Sequence, residues 1–153
     1  MIITIMSPHT QILYQIVFGT HNHENTLVVE RHEKLFRYIF GILNNKKCFV
    51  YKIGGVENHI HIILSLHPMV SLSGLIKDIK LATSDWIKKE KIFSNFNGWQ
   101  KGYGAFSYSI DAKEKLIEYV ENQVQHHETK TFREEYLELL KMHRIEYDEK
   151  YLE

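Results

Sequence analysis

Two histidines one residue apart, His59 and His61, lie in the run Asn58-His59-Ile60-His61-Ile62-Ile63-Leu64-Ser65-Leu66. β-Branched and apolar residues dominate this run and Pro68 ends it, so it reads as a strand. Side chains alternate across a strand, so both imidazoles project from one face. Ile60, Ile62 and Leu64 project from the other and can bury there. Two imidazoles held side by side on a rigid element make half of a metal site. The same pattern also suits a half-exposed strand with polar residues on its solvent side, and the spacing leaves both readings open. His21-Asn22-His23 repeats the spacing, but its middle residue is polar and it falls where a strand runs out into a loop.

A second pair stands in residues 112–126, where Leu116, Ile117, Val120 and Val124 form an apolar stripe at helical spacing. Tyr119 and Gln123 are four residues apart and stand one above the other on that helix. A phenol and an amide oxygen so placed could serve as nucleophile and neutral metal ligand. They could equally be a tyrosine at the edge of the core and a solvated glutamine. Tyr103 and Tyr108 are fallback nucleophiles, but they lie in a strand-like segment and lack the glutamine spacing.

The elements that must position these residues follow from hydrophobic period and turn signals. Residues 10–20 read as a first strand and 29–43 as an amphipathic helix through Leu35, Phe36, Ile39, Phe40 and Leu43. Residues 48–53 form a second strand, Gly54-Gly55 a turn, and 56–66 the third strand, which carries the histidines. Ser71 or Ser73 can cap a helix over 72–89. Residues 99–109 read as a fourth strand, and 112–126 and 131–142 as further helices. The order β-α-β-β-α-β predicts an α+β, ferredoxin-like split βαβ sandwich: an antiparallel sheet with helices on one face, plus C-terminal helices. Such a fold does not by itself specify an activity.

The chain has 153 residues, of which 44% are hydrophobic and 25% charged, enough for one domain with a real core. We read residues 1–153 as a single domain, with a core over about 10–127 and an appended helical tail over 128–153. No apolar run approaches the ~20 residues of a membrane span, and Met1–Met6 carries no basic region of a leader. Cys48 is the single cysteine, which excludes an intramolecular disulfide and suits a reducing cytoplasm. Net charge is zero, but it is unevenly spread. Residues 128–153 hold five basic and eight acidic side chains, net −3, and the remainder is net +3. That permits a local basic surface on the body of the chain.

Taken in order, NHIHIILSLHP, SLSGLIKDIKLATSDWI, WQKGYGAFSYS, IEYVENQVQHH and TFREEYLELL resemble the single-tyrosine transposases of small bacterial insertion sequences, which carry a histidine–hydrophobic–histidine motif, and their kin associated with repetitive palindromic elements. The resemblance runs from the first strand to the C-terminal YDEKYL. It implies that His59, His61 and Gln123 hold a divalent metal, Mg²⁺ or Mn²⁺, and that Tyr119 attacks DNA. It implies as substrate single-stranded DNA folded into subterminal hairpins, cleaved and rejoined through a 5′-phosphotyrosine link. It also implies a homodimer whose active site can be shared between subunits. Lys77, Lys80, Lys88 and Lys89 are the candidate phosphate contacts, and Trp99, Tyr103 and Phe106 could stack on unpaired bases. The chain departs from the family in having Asn58 where aspartate is frequent, and His21 and His23 where lysine and arginine are frequent. The alternative is a domesticated hairpin-binding protein or nickase of the same fold.

Overall fold

A computed structural model describes residues 9–152. Met1–Met6, read above for a leader, lies outside the described residues. Four strands form one antiparallel sheet: β1 (Leu13–Gly19), β2 (Phe49–Gly55), β3 (His59–Ser65) and β4 (Gly104–Tyr108), in spatial order β2-β3-β1-β4. Helix α1 (His32–Asn45) joins β1 to β2, and α2 (Leu72–Glu90) joins β3 to β4. The α+β split βαβ arrangement is as expected from the sequence. Both crossover helices pack on the face that carries Ile16, Phe18, Ile60, Ile62 and Leu64, with Leu35, Ile39, Leu43, Leu75, Ile76 and Ile79 interleaved. Ser71 caps α2, its hydroxyl accepting from the Gly74 amide.

The opposite face carries the histidines, and it is not open to solvent. Three C-terminal helices cover it: α3 (Lys113–Glu121), α4 (Gln123–Thr129) and α5 (Phe132–Met142). Leu116 and Val120 of α3 pack on Leu13 and Ile63, while Phe132, Leu139 and Leu140 of α5 pack on Val17 and Phe106. His59 and His61 are therefore 1% and 0% exposed. Two glycines make this close approach possible. Gly19 is the cross-strand neighbour of His59 and Gly54 that of His61. A Cβ on Gly19 would lie 2.5 Å from a Phe132 ring carbon, and one on Gly54 would lie 2.6 Å from Val120 Cγ1.

Three local expectations shift. The hairpin turn falls at residues 56–58 rather than at Gly54-Gly55, because those glycines are needed inside β2. The fourth strand shortens to Gly104–Tyr108, preceded by a bridge between Thr20 and Trp99. The single helix expected over 112–126 breaks at Asn122, whose φ of −94° and ψ of 17° end α3 and start α4. No helix among the described residues is long and apolar enough to cross a membrane.

Candidate active site

Strand β3 presents both imidazoles to the covered face, their ring centroids 5.1 Å apart. His59 is held from three sides. Its Nδ1 lies 2.8 Å from Asn58 Oδ1, whose own amide nitrogen donates to the His23 carbonyl at 3.4 Å. That orientation puts the His59 proton on Nδ1, donating to Asn58. The Phe132 ring stacks on the imidazole at 4.1 Å, within 5° of parallel. The third side is Nε2, which faces Gln123 Oε1 at 3.0 Å and Glu135 Oε1 at 3.4 Å. His61 Nε2 lies 2.8 Å from the same Glu135 oxygen, and its Nδ1 lies 3.1 Å from Gln15 Nε2.

The electrostatics follow from burial. Loss of solvent lowers the His59 pKa, against the opposing pull of the Glu135 carboxylate beside it, so the ring is neutral near pH 7. Burial also works to raise the Glu135 pKa, but the two imidazoles that face it, with His61 Nε2 2.8 Å away, outweigh burial and hold the carboxyl well below the usual carboxylate range. A neutral His59 protonated on Nδ1 thus turns a lone pair toward two oxygen acceptors, one of them charged. Gln123 turns its Oε1 toward this centre, and its buried Nε2 has no hydrogen-bond partner among the described residues. Converging lone pairs with a net negative charge are what a divalent cation requires. His59, His61 and Glu135 each offer a ligand atom within 4.8 Å of one another, and the three could hold such an ion.

Tyr119, on α3, stands edge-on to His61 with centroids 5.7 Å apart and tilts against His126 at 4.7 Å. Burial and the neighbouring Glu135 carboxylate push its pKa above the ordinary phenol value. Tyr119 and Glu135 also line a cavity of about 310 Å³ with Gln15, Tyr108, Leu116 and Leu139. Despite the break at Asn122, Tyr119 and Gln123 thus reach the two histidines within one chain.

The candidate DNA contacts divide. Lys80 is held inward: its Nζ donates to the carbonyls of Gln100 at 2.9 Å and Gly102 at 2.7 Å, clamping α2 to the loop before β4. Lys77, Lys88 and Lys89 are exposed on α2, which packs on the sheet face away from the histidines. Trp99 donates to Thr83 and packs edge-on against Phe18 and Phe96, and Phe106 is buried beneath a stacked His143, so both rings belong to the core. Tyr103 is half-buried, with Lys80 Nζ 5.9 Å from its ring centroid. Tyr108, the fallback nucleophile, has its pKa pushed up to about 12 by burial. His21-Asn22-His23 forms a short turn with positive φ at Asn22 and His23, and His23 packs on Phe132 at the rim of the site.

Local sequence pattern does not mark Glu135 or Gln15 as site residues. Each carries one signal, a polar residue at an inward position. Glu135 lies on the apolar stripe of Phe132, Leu139 and Leu140, and Gln15 lies between Leu13 and Val17 in strand period.

A search of curated protein sequences finds no match. Among solved structures, the chain is similar to a candidate transposase from Deinococcus radiodurans R1, at 16% identity and a TM-score of 0.61, over 80% of this chain and 98% of that one. It is also similar to a tyrosine transposase associated with REP elements, solved bound to a REP hairpin, at 14% identity and a TM-score of 0.59, over 82% and 74% of the two chains. At these identities the likeness is one of fold. The profile of the family described as "Transposase IS200 like" matches residues 8–123, a segment that includes His59, His61, Tyr119 and Gln123 but ends before Glu135. The match spans well over half of the sequence, and the chain belongs to the IS200-like transposase family.

Proposed function

We propose that this transposase cleaves and rejoins single-stranded DNA at hairpins, with Tyr119 as the nucleophile. The observation that carries the reading is the buried convergence of His59, His61, Gln123 and Glu135 with the Tyr119 ring 5.7 Å from His61. Tyr119 Oη attacks a backbone phosphorus, the P–O3′ bond breaks, and the leaving 3′ oxygen takes up a proton. A second 3′-OH then attacks the 5′-phosphotyrosine, and the phenol leaves. Each step exchanges one phosphodiester for another, so no nucleotide cofactor is consumed.

His59, His61, Gln123 and Glu135 would hold Mg²⁺ or Mn²⁺, and the imidazoles favour Mn²⁺ of the two. Bound there, the ion supplies Lewis-acid polarisation of the scissile phosphate. The protein's own contribution is positional. Asn58 fixes the His59 tautomer, Phe132 fixes its plane, and Gln123 turns its oxygen inward. Burial, with the Glu135 carboxylate beside it, keeps the phenol protonated at rest, and a cation that neutralises that carboxylate would remove one of the two effects. The buried, unpaired Cys48 suits a cytoplasmic protein.

The experiment is incubation of the chain with labelled hairpin-bearing single-stranded DNA, in Mn²⁺ or EDTA, followed by a denaturing protein gel. A metal-dependent labelled band of protein size, absent in Tyr119→Phe, is expected. Hairpin binding without any adduct would overturn the enzyme reading in favour of a hairpin-binding relative. An adduct that survives Tyr119→Phe would overturn the nucleophile.

A further inference from the structure

A chain of hydrogen bonds behind His61 plays no part in the chemistry above. Gln15 on β1 is fully buried. Its amide nitrogen lies 3.1 Å from His61 Nδ1, and its amide oxygen accepts from the Tyr108 hydroxyl at 2.8 Å. The Tyr108 oxygen in turn lies 3.1 Å from Nε2 of His143, the partly exposed residue that ends α5. β1, β4 and the end of α5 thus connect His61 to the protein surface.

Each member fixes the next. With the Gln15 NH₂ facing it, His61 Nδ1 accepts, so a neutral His61 carries its proton on Nε2 and donates it to Glu135. Nε2 is the atom on the side of Glu135 and the His59 centre. In this tautomer it has no lone pair to offer a metal. His61 can ligate only with its proton on Nδ1, and a buried Nδ1–H needs an acceptor. A ring nitrogen opposite a metal commonly donates to such a partner, which sets the ligand's tautomer.

We propose that Gln15 is a positioning residue that switches the His61 tautomer by turning its amide over. In the metal-free chain its NH₂ donates to Nδ1, and in the loaded chain its carbonyl oxygen accepts from Nδ1–H. The inference rests on the reading of His59 and His61 as metal ligands. A primary amide suits both states because donor and acceptor share one planar group. The turned amide presents its NH₂ to the Tyr108 oxygen, and the Tyr108 hydroxyl then donates to His143 Nε2. Protons balance at both rings: His61 gives up its Nε2 proton and takes one at Nδ1, and His143 makes the same exchange with water. Neither ring gains or loses a proton on balance in this exchange.

The test is ¹⁵N NMR of the full-length chain with labelled histidine, the His61 ring identified by its loss in His61→Asn. Spectra are taken with and without Zn²⁺ as a diamagnetic probe, and Mn²⁺ affinity is read by EPR. Expected are the Nε2–H tautomer without metal and the Nδ1–H tautomer with Zn²⁺. Gln15→Met should weaken Mn²⁺ binding about 10- to 100-fold. Gln15→Glu should restore it, because the introduced carboxylate accepts from Nδ1–H. Tyr108→Phe removes the donor that holds the amide in its metal-free orientation. It should raise the Nδ1–H population without metal and bind Mn²⁺ at least as tightly, and it carries the test if Gln15→Met does not fold. His61 found as Nδ1–H before metal is added, or equal Mn²⁺ affinity in a folded Gln15→Met, overturns the proposal. A wild-type chain that binds neither ion overturns the metal reading and this proposal with it. The metal-free spectrum tells that failure apart from a wrong tautomer.

Discussion

Glu135→Gln separates what the C-terminal helix does for the fold from what it does for the site. The carboxylate is 4% exposed and lies 2.8 Å from His61 Nε2 and 3.4 Å from His59 Nε2. The substitution keeps the shape and leaves an amide oxygen to accept from His61, so what it removes is the charge. A hydrogen bond to a charged group contributes about 1.5–3 kcal/mol and a neutral one about 0.5–1.5 kcal/mol. The metal-free protein should therefore lose about 1–1.5 kcal/mol at pH 7, the difference between those ranges. For a chain of 153 residues, that lowers Tm by about 2–6 °C. The effect on metal should be larger. In the proposed site, His59, His61 and Gln123 would form a formally neutral ligand set, to which Glu135 would add a negative charge. Mn²⁺ affinity should fall by at least the ~10- to 100-fold that losing an outer partner costs. Thermal melts in EDTA and Mn²⁺ EPR titrations on the same samples read both numbers. Mn²⁺ binding that is unchanged or tighter in the variant would refute the ligand role, because the carboxylate would then be competing with the ion for the imidazoles.

Acid should destabilise the metal-free protein in two stages. His59 lies below its ordinary value of 6.5 and Glu135 below 4.5, so the unfolded chain binds more protons than the folded one as pH falls through these ranges. The His59 share of stability is lost from 6.5 down toward its folded value, and the Glu135 share from 4.5 down toward its own. Urea midpoints in EDTA should fall between pH 7 and pH 4, and a flat profile would count against the buried triad. Gly54→Ala places a Cβ 2.6 Å from Val120 Cγ1 and 3.2 Å from the Val120 carbonyl oxygen. It should cost about 1–3 kcal/mol by overpacking, and an unchanged urea midpoint would mean that α3 does not dock on β2 as described. Tyr119 stands beside His61 of its own chain, so mixing His61→Ala with Tyr119→Phe should not restore the covalent adduct. Restoration would show a site built between two chains.

What could be read from the sequence is what local period encodes. Alternation put His59 and His61 on one face of β3, and helical spacing marked the cores of α1, α2 and α5, because each pattern needs only the residues of one element. Elements that depend on partners were harder to read. Gly54-Gly55 has the composition of a turn, yet both residues lie in β2, where Gly54 makes room for Val120. Lys80 reads as a solvated cation until the loop before β4 brings three carbonyls to its Nζ.

The covered histidine face is the sharpest case, because the character of the site depends on it. A half-exposed strand and a buried polar site share the same alternation, and only the docking of α3–α5 decides between them. Residues 131–142 offer Glu134, Glu135 and Glu138 at nearly the same place in sequence, and local pattern treats the three alike. Docking makes them different. Phe132 seats on His59, and the turn of helix that follows carries Glu135 inward to both imidazoles, while Glu134 and Glu138 remain exposed. An unpaired carboxylate at that depth would be strongly destabilising. Glu135 is tolerated there because two rings on β3, 74 and 76 residues earlier in the chain, are placed to receive it. The charge of the site is therefore a long-range property of the fold. Glu135 also lies outside residues 8–123, the segment that matches the family, so the match by itself does not indicate that this negative charge stands beside the two histidines.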